Sequence, residues 1–499
     1  MEMTALSPDP TTESLASRIR RAVIWRSGSQ ILAQTVQWAA TFLVIRILGP
    51  ADYGLVAMTQ VVLALLNMLN GYGLASGLVQ QAEVTERQIR QLFGMLIVLN
   101  GGLALAQVAL APLAAAYYRQ PEVTVLLRVQ ALVYLTTPFI ALPLALLSRR
   151  MDFRHQARAN IAASIASATA ALGGASAGLG VWTLVLAPLT LFTVRAAMLT
   201  WSARALIWPS FDFRGAGSLA RYGGVVAAGQ LFWFAQSQAD VFIAGRRFAP
   251  ATLGIYTTAL FLAQIFVSKF VPPLNEVAFS AYARMRHEAE DDGAVARAFV
   301  RAVGIVMIAA LPFYLGLFVT AEPLVLTVLG PKWAAVAPVV RLLALAMPFM
   351  TLLVLFTPAC DARGRPGVGV GNGAWGAAIL TIAFLIGVRG GPTGMATAWI
   401  VAYPLYLGIS AHRALPVIGA RARDVARAIL PPLLASTGMA LIVSLVDRVL
   451  PAMVPAARLG VLAGTGLVAY GAWLMLFARP TLLALIAMVR RAPPAHPAA

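Results

Sequence analysis

One turn between two apolar runs occurs twice in this chain, and the recurrence limits its architecture more than any other feature. Arg46-Ile-Leu-Gly-Pro-Ala-Asp-Tyr-Gly-Leu55 closes one apolar run and opens the next, and Arg246-Arg-Phe-Ala-Pro-Ala-Thr-Leu-Gly-Ile255 does the same in the second half. Phe42, Arg46, Pro50 and Gly54 fall on Phe242, Arg246, Pro250 and Gly254 at one constant offset. Gln30, a polar residue inside an apolar run, falls on Gln230 at that same offset. Duplicated halves with polar groups inside apolar helices point to a transporter.

The medium follows from composition. A chain of 499 residues that is 60% hydrophobic and 11% charged cannot present a water-soluble surface and reads as a polytopic membrane protein. Its single cysteine, Cys360, excludes an intrachain disulfide. The N-terminal stretch is polar through Ser17 and lacks the apolar core and small-residue cleavage site of a signal peptide, so the first apolar run is expected to be retained.

A span needs roughly 20 predominantly apolar residues, and about fourteen such runs can be read. They start near Ala22, Leu55, Leu92, Val129, Ile161, Trp182, Gly223 and Gly254, then near Val300, Pro338, Val368, Met395, Ala428 and Leu459. The expected fold is therefore an all-α integral membrane protein, with two parallel six-helix lobes and a C-terminal helix pair. The expected divisions are a tail over 1–19, a first lobe over 20–205, a linker over 206–217, a second lobe over 218–415, the extra pair over 416–478 and a tail over 479–499. Arg128-Val-Gln-Ala-Leu132 and Arg341-Leu-Leu-Ala-Leu345 mark the entrance to the fourth helix of each half.

Most of the 38 Lys and Arg fall in alternate loops when the N-terminus is placed inside, as basic residues held on the cytoplasmic side should. Both termini are then cytoplasmic. A net charge of +19 invites a nucleic-acid reading, but the charge is dispersed through short loops between spans, which excludes that partner in favour of topology and anionic lipid headgroups.

Within the spans, polar residues recur on single helix faces. Arg26, Gln30, Gln34 and Gln37 lie four, four and three apart in the first helix. Gln60, Asn67 and Asn70 follow in the second and Asn100 in the third. The seventh helix carries Gln230 with Ser237, and Gln236 with Asp240. Two readings stay open for each: wall of a translocation cavity, or interhelical hydrogen bonds worth roughly 0.6–2 kcal/mol. Asp240 is the acidic residue placed well within a span, where a charge is costly enough to suggest a functional role. Its structural alternative is pairing with Arg246 or Arg247, or capping backbone groups. His155, His287, His412 and His496 lie in expected loops or the tail, with no metal-ligand spacing. No catalytic residue, metal ligand or cofactor motif is assigned.

Ordered stretches across the chain resemble the Wzx-type polysaccharide flippases. In the first half these are Trp25, Leu48-Gly-Pro-Ala-Asp-Tyr-Gly54, Gly71-Tyr-Gly-Leu-Ala75 with Val79-Gln80, and Arg149-Arg-Met-Asp-Phe153. In the second half, Asp240-Val-Phe-Ile-Ala-Gly245, Gly254-Ile-Tyr256, Val277-Ala-Phe-Ser-Ala281 and Leu329-Gly-Pro-Lys-Trp333 are similar to the exopolysaccharide branch. That family sits in the multidrug/oligosaccharidyl-lipid/polysaccharide exporter superfamily. The resemblance implies two six-helix bundles around a cavity in a bacterial inner membrane. It also implies alternating-access transfer of undecaprenyl-diphosphate-linked sugar units to the periplasmic leaflet, in company with a polysaccharide polymerase and export machinery. By the same resemblance, Arg26 of the first helix and Lys269 of the eighth are paired candidates for the diphosphate, with interfacial snorkelling as the alternative for Lys269. Asp240 is the candidate for proton or sodium coupling. The position equivalent to it in the first helix is Ala40, a departure from drug-exporting relatives with a carboxylate in that half.

Two rival functions share the polytopic character. A cation-coupled multidrug or small-solute antiporter would suit a more aromatic and acidic pocket than the basic, amide-rich first helix offers. An integral-membrane glycan polymerase or acyltransferase usually carries a long outer loop or a catalytic His or carboxylate near the membrane surface, and the longest expected outer loop runs only near Glu322 to Ala337.

Overall fold

The structure is a computed structural model that describes residues 15–70, 84–212, 234–288 and 293–477, with side chains in the first helix from Gly28 onward. The regular elements among the described residues are all helices, with no strand among them. Between its ends a helix pairs backbone N–H and C=O groups within the segment, which hydrocarbon demands because it offers no partner of its own. Among the described residues, nine stretches are long and apolar enough to cross a membrane. The protein is an all-α integral membrane protein.

In the first half of the chain, α1 spans Leu15–Ile47, α2 Pro50–Asn67 and α3 Glu86–Tyr118. The fourth expected run is broken into α4 (Glu122–Gln130), α5 (Leu132–Thr136) and α6 (Pro138–Arg149). A proline at position 138 withholds an N–H and restarts the helix there. Next come α7 (Phe153–Ser176) and α8 (Val181–Ala203). In the second unit, residues 234–247 form α9. They are followed by α10 (Pro250–Glu288), α11 (Ala294–Val328), α12 (Val336–Val354) and α13 (Phe356–Ala362). The chain continues with α14 (Pro366–Gly387), α15 (Gly391–Ile418), α16 (Ala422–Val449) and α17 (Pro455–Phe477). The run expected near Gly223 begins outside the described residues.

Packing divides the chain into two compact units, Met1–Leu48 with Thr59–Ala228, and Gly49–Met58 with Gly229–Ala499. In the first, α1 lies along α7 and α7 along α8. Ala157, Ala159, Ala163, Ser164 and Ser167 of α7 are buried, and such small side chains let helix backbones approach closely. Ser167 adds a hydroxyl bond to the Ala187 carbonyl oxygen at 2.9 Å. One core joins Leu92, Phe93 and Leu96 of α3 to Ala141, Leu142 and Ala145 of α6. Thr85 caps α3, its hydroxyl accepting from Gln88 N while the Gln88 side chain accepts from Thr85 N, a reciprocal pairing that satisfies two orphan donors.

The second unit explains the repeated turn. Residues 49–58 of the first half belong to this unit, and α2 and α10 begin at Pro50 and Pro250. Each helix start lies on the other's glycine. A Cβ at Gly54 would collide with the Pro250 carbonyl, and one at Gly254 with the Pro50 carbonyl. Proline opens each helix with a preset φ and no N–H to satisfy, and glycine four residues on leaves room for the opposite backbone. Tyr53 meets Trp333 edge to face at 5.4 Å beside this crossing. The C-terminal helices α16 and α17 pack on α11: Met439, Val443 and Leu462 form a core with Leu315 and Val319, and Tyr470 donates to the Ile308 carbonyl at 2.7 Å.

Candidate functional site

A polar cavity of 460 Å³ opens inside the first unit, within the roughly 300–1,000 Å³ typical of small-molecule sites. Gln30, Gln34 and Gln37 of α1 lie on its wall. Opposite them stand Gln156, Asn160 and Ser164 of α7, spaced four apart and so on one helix face. Ser29 of α1, Ser148 of α6 and Arg195 of α8 complete the polar lining. Gln156 donates to the Ser148 hydroxyl at 3.1 Å and ties α7 to α6 at the rim. Although α7 has 24 residues, it is not among the nine strongly apolar spans. The residues that lower its hydropathy include the ones that face this cavity.

Amides and hydroxyls both donate and accept, so this wall can bind a hydroxyl-rich molecule in many orientations, and one guanidinium adds a fixed positive charge. Gln156, Asn160 and Arg195 did not stand out in the sequence. The first two follow the basic turn Arg149-Arg-Met-Asp-Phe-Arg154 and resemble its solvated continuation, while Arg195 stands alone in an apolar run.

The other candidates separate. Asn100 is fully buried, and its Nδ2 donates to the Leu96 carbonyl at 2.9 Å and the Asn70 carbonyl at 3.1 Å. It fastens α3 to the end of α2. Asn67 is exposed at the end of α2, and its carbonyl accepts from Asn70 N. Lys269 is an exposed residue of α10, ahead of Pro272-Pro273, through which the helix continues. The Arg26 side chain and Gln230 lie outside the described residues.

Asp240 is buried in the second unit, and its Oδ2 accepts a hydrogen bond from the Tyr256 hydroxyl at 2.8 Å. The same hydroxyl accepts from Trp399 Nε1, also at 2.8 Å. One turn earlier on α9, Gln236 donates to the Gly373 carbonyl at 2.7 Å and accepts from the Tyr406 hydroxyl at 3.3 Å. Trp399 stacks on Tyr403 with ring centroids 5.0 Å apart and planes 8° from parallel. Sequence reasoning offered Arg246 or Arg247, or backbone groups, as partners for Asp240, and the side chain that bonds it here is a tyrosine from the next helix. The aromatics at 399, 403 and 406, spaced four and three, were the signal for a facing helix stripe. Beyond Tyr406 a cavity of 40 Å³, lined by Asn372, Thr357, Cys360 and Ser410, is large enough for a water. No group of three or more His, Cys, Asp or Glu able to hold a metal occurs among the described residues.

A sequence profile described as polysaccharide biosynthesis protein matches residues 43–338. The chain belongs to this family. Among relatives, it is 27% identical over 498 residues to the succinoglycan biosynthesis transport protein ExoT of Rhizobium meliloti (strain 1021), covering 97% of this chain and 98% of ExoT. It is 22% identical over 357 residues to the teichuronic acid biosynthesis protein TuaB of Bacillus subtilis (strain 168), covering 68% of this chain and 73% of TuaB. In fold it is similar to the lipid II flippase MurJ in an inward closed conformation, with a TM-score of 0.73, 11% identity, and coverage of 93% of this chain and 100% of that one.

Proposed function

We propose that this chain is a flippase that carries polyprenyl-diphosphate-linked oligosaccharide units from the cytoplasmic to the periplasmic leaflet by alternating access, for polysaccharide biosynthesis. The observation that carries the reading is the amide- and hydroxyl-lined cavity between α1, α7 and α8, set in a chain whose family is one of polysaccharide biosynthesis. A glycan and its diphosphate cannot cross ~30 Å of hydrocarbon without polar partners, and this wall supplies neutral donors and acceptors with one cation. The protein acts as a transporter, not an enzyme, and its substrate stays covalently unchanged.

Several finer assignments belong to the same reading. The chain resides in the bacterial inner membrane with both termini in the cytoplasm, and delivers its cargo to a polymerase and export machinery. Arg26 and Lys269 meet the diphosphate, and Asp240 binds the coupling proton or sodium ion. The buried Tyr256 hydroxyl, itself held by the Trp399 indole, supports this last role, because it holds the carboxylate in one rotamer.

The test is the leaflet distribution of the lipid-linked units in cells carrying the protein, a deletion, or a Gln34→Ala/Asn160→Ala variant. Accumulation on the cytoplasmic face in the deletion and the variant supports the flippase. Normal export in the deletion with altered resistance to cationic drugs overturns it in favour of an antiporter. Normal flipping with unpolymerised units overturns it in favour of a polymerase.

A further inference from the structure

The chain leaving α8 does not continue as helix or as a free loop. Arg204 takes a left-handed conformation with φ of 51° and turns the chain sharply, and residues 205–212 then run without helical structure along the start of α3. Four contacts hold this strap. Ser210 N donates to the Arg90 carbonyl at 2.9 Å, Arg90 Nε to the Trp208 carbonyl at 3.1 Å, and Gln91 Nε2 to the Asp212 carbonyl at 2.8 Å. Arg87 pairs with Asp212 at 3.0 Å. The approach is so close that a Cβ on Gly94 would collide with the Ser210 carbonyl.

A segment fastened this firmly has the means to bury its apolar side chains, yet it turns Leu206 and Trp208 outward. Leu206 and Trp208 are 84% and 83% exposed, as is Trp201 in the last turn of α8 at 85%. Ala205, between them, is buried and joins the core with Leu147 and Ala203. The outward set is therefore fixed by how the strap is seated. Both helices that meet here, α3 and α8, are long and apolar enough to span the bilayer, so the strap lies where a span ends and water begins. Indole rings favour that layer because one edge is apolar and the N–H is polar. Arg204, between Trp201 and Leu206 in the chain, is exposed, and a cation at that depth attracts anionic headgroups.

We propose that Trp201, Leu206 and Trp208, with Arg204, form an interfacial anchor that seats the junction after α8 in the headgroup layer and binds anionic phospholipid. The apolar side chains supply depth, and the Arg204 guanidinium selects lipids of negative charge. Aqueous solvent alone would leave three large apolar side chains hydrated on a rigid backbone. An acidic protein partner would be drawn to Arg204, but it would have to reach residues that adjoin the spans of α3 and α8.

The experiment is a nitroxide depth measurement on the full chain in nanodiscs. Cys360, the single cysteine, is replaced by Ala, Leu206→Cys carries the label, and Gln120→Cys, at the opposite end of α3, serves as the aqueous reference. The anchor predicts greater collision with oxygen than with a water-soluble nickel chelate at position 206, and the reverse at 120. It also predicts slower label motion in phosphatidylglycerol than in phosphatidylcholine. Arg204→Gln should weaken retention of phosphatidylglycerol about fivefold in native mass spectrometry, equivalent to ~1 kcal/mol for one interfacial arginine. A label at 206 as water-accessible as the reference overturns the anchor. A label at bilayer depth with identical behaviour in the two lipids, before and after Arg204→Gln, overturns anionic lipid as its ligand. A second label at Trp208→Cys guards against a local disturbance by the first.

Discussion

Gly54 lies directly on the carbonyl of Pro250, and the relationship is reciprocal, because Gly254 lies on the carbonyl of Pro50. The spacing of proline and glycine that marks the duplicated turn thus has one physical cause in both copies. Two helix starts cross so closely that neither glycine can carry a side chain. Gly54→Ala and Gly254→Ala should each destabilise the protein by about 1–3 kcal/mol, the range for overpacking a tight contact. The obstacle is backbone and cannot rotate away. Thermal unfolding in detergent checks this, with Gly101→Ala as the control, since nothing lies within 4 Å of a Cβ there.

The carboxylate of Asp240 and the indole of Trp399 share the Tyr256 hydroxyl, one as acceptor from it and the other as donor to it. Tyr256→Phe removes that hydroxyl and leaves both partners unmatched in a buried site, at a cost of about 1–3 kcal/mol. Asp240→Asn differs, because the amide oxygen still accepts from Tyr256. Its stability should stay near wild type while transport falls. Melting temperature and export measured together separate the two, and an Asp240→Asn protein with undiminished transport sinks the coupling role.

The strap along α3 offers a contrast between a surface ion pair and a steric requirement. Arg87 and Asp212 are both substantially exposed, so Arg87→Ala should cost under about 1 kcal/mol. Gly94→Val forces a branched side chain against the Ser210 backbone and should release residues 205–212. Limited proteolysis reads the difference: a nick near Trp208 is expected in Gly94→Val and absent in Arg87→Ala.

How much was legible in the sequence depended on whether the signal was local. Apolar run length and the Gln30, Gln34 and Gln37 spacing are properties of single helices, so the spans and one wall of the cavity could be read directly. The opposite wall could not. Asn160 belongs to the cavity only because small side chains let α7 lie along α1, and Arg195 only because α8 lies along α7. The hydrogen bond from Tyr256 to Asp240 joins two helices and has no spacing signature of its own. The duplicated turn was visible as a pattern, but its meaning, two backbones in mutual contact, exists only once the copies are brought together.

Two kinds of amide occupy the first unit, and substitution should divide them. Asn100 is buried and donates to two backbone carbonyls, so Asn100→Ala should lower stability by roughly 0.6–2 kcal/mol, the range for interhelical polar contacts in membranes. Any loss of transport should follow from that instability. Gln34 and Asn160 instead face open space on the cavity wall. Their alanine variants should melt within about 0.5 kcal/mol of wild type, as substitutions away from packed features do, while lipid-linked units accumulate on the cytoplasmic leaflet. Arg195→Gln keeps a polar side chain and removes the charge, so a defect larger than that of Gln34→Ala would show that the cavity reads negative charge on its cargo. The same leaflet assay, run beside thermal unfolding for all four variants, decides between wall and glue. If Asn100→Ala left stability intact and Asn160→Ala melted early, the assignments would have to be exchanged.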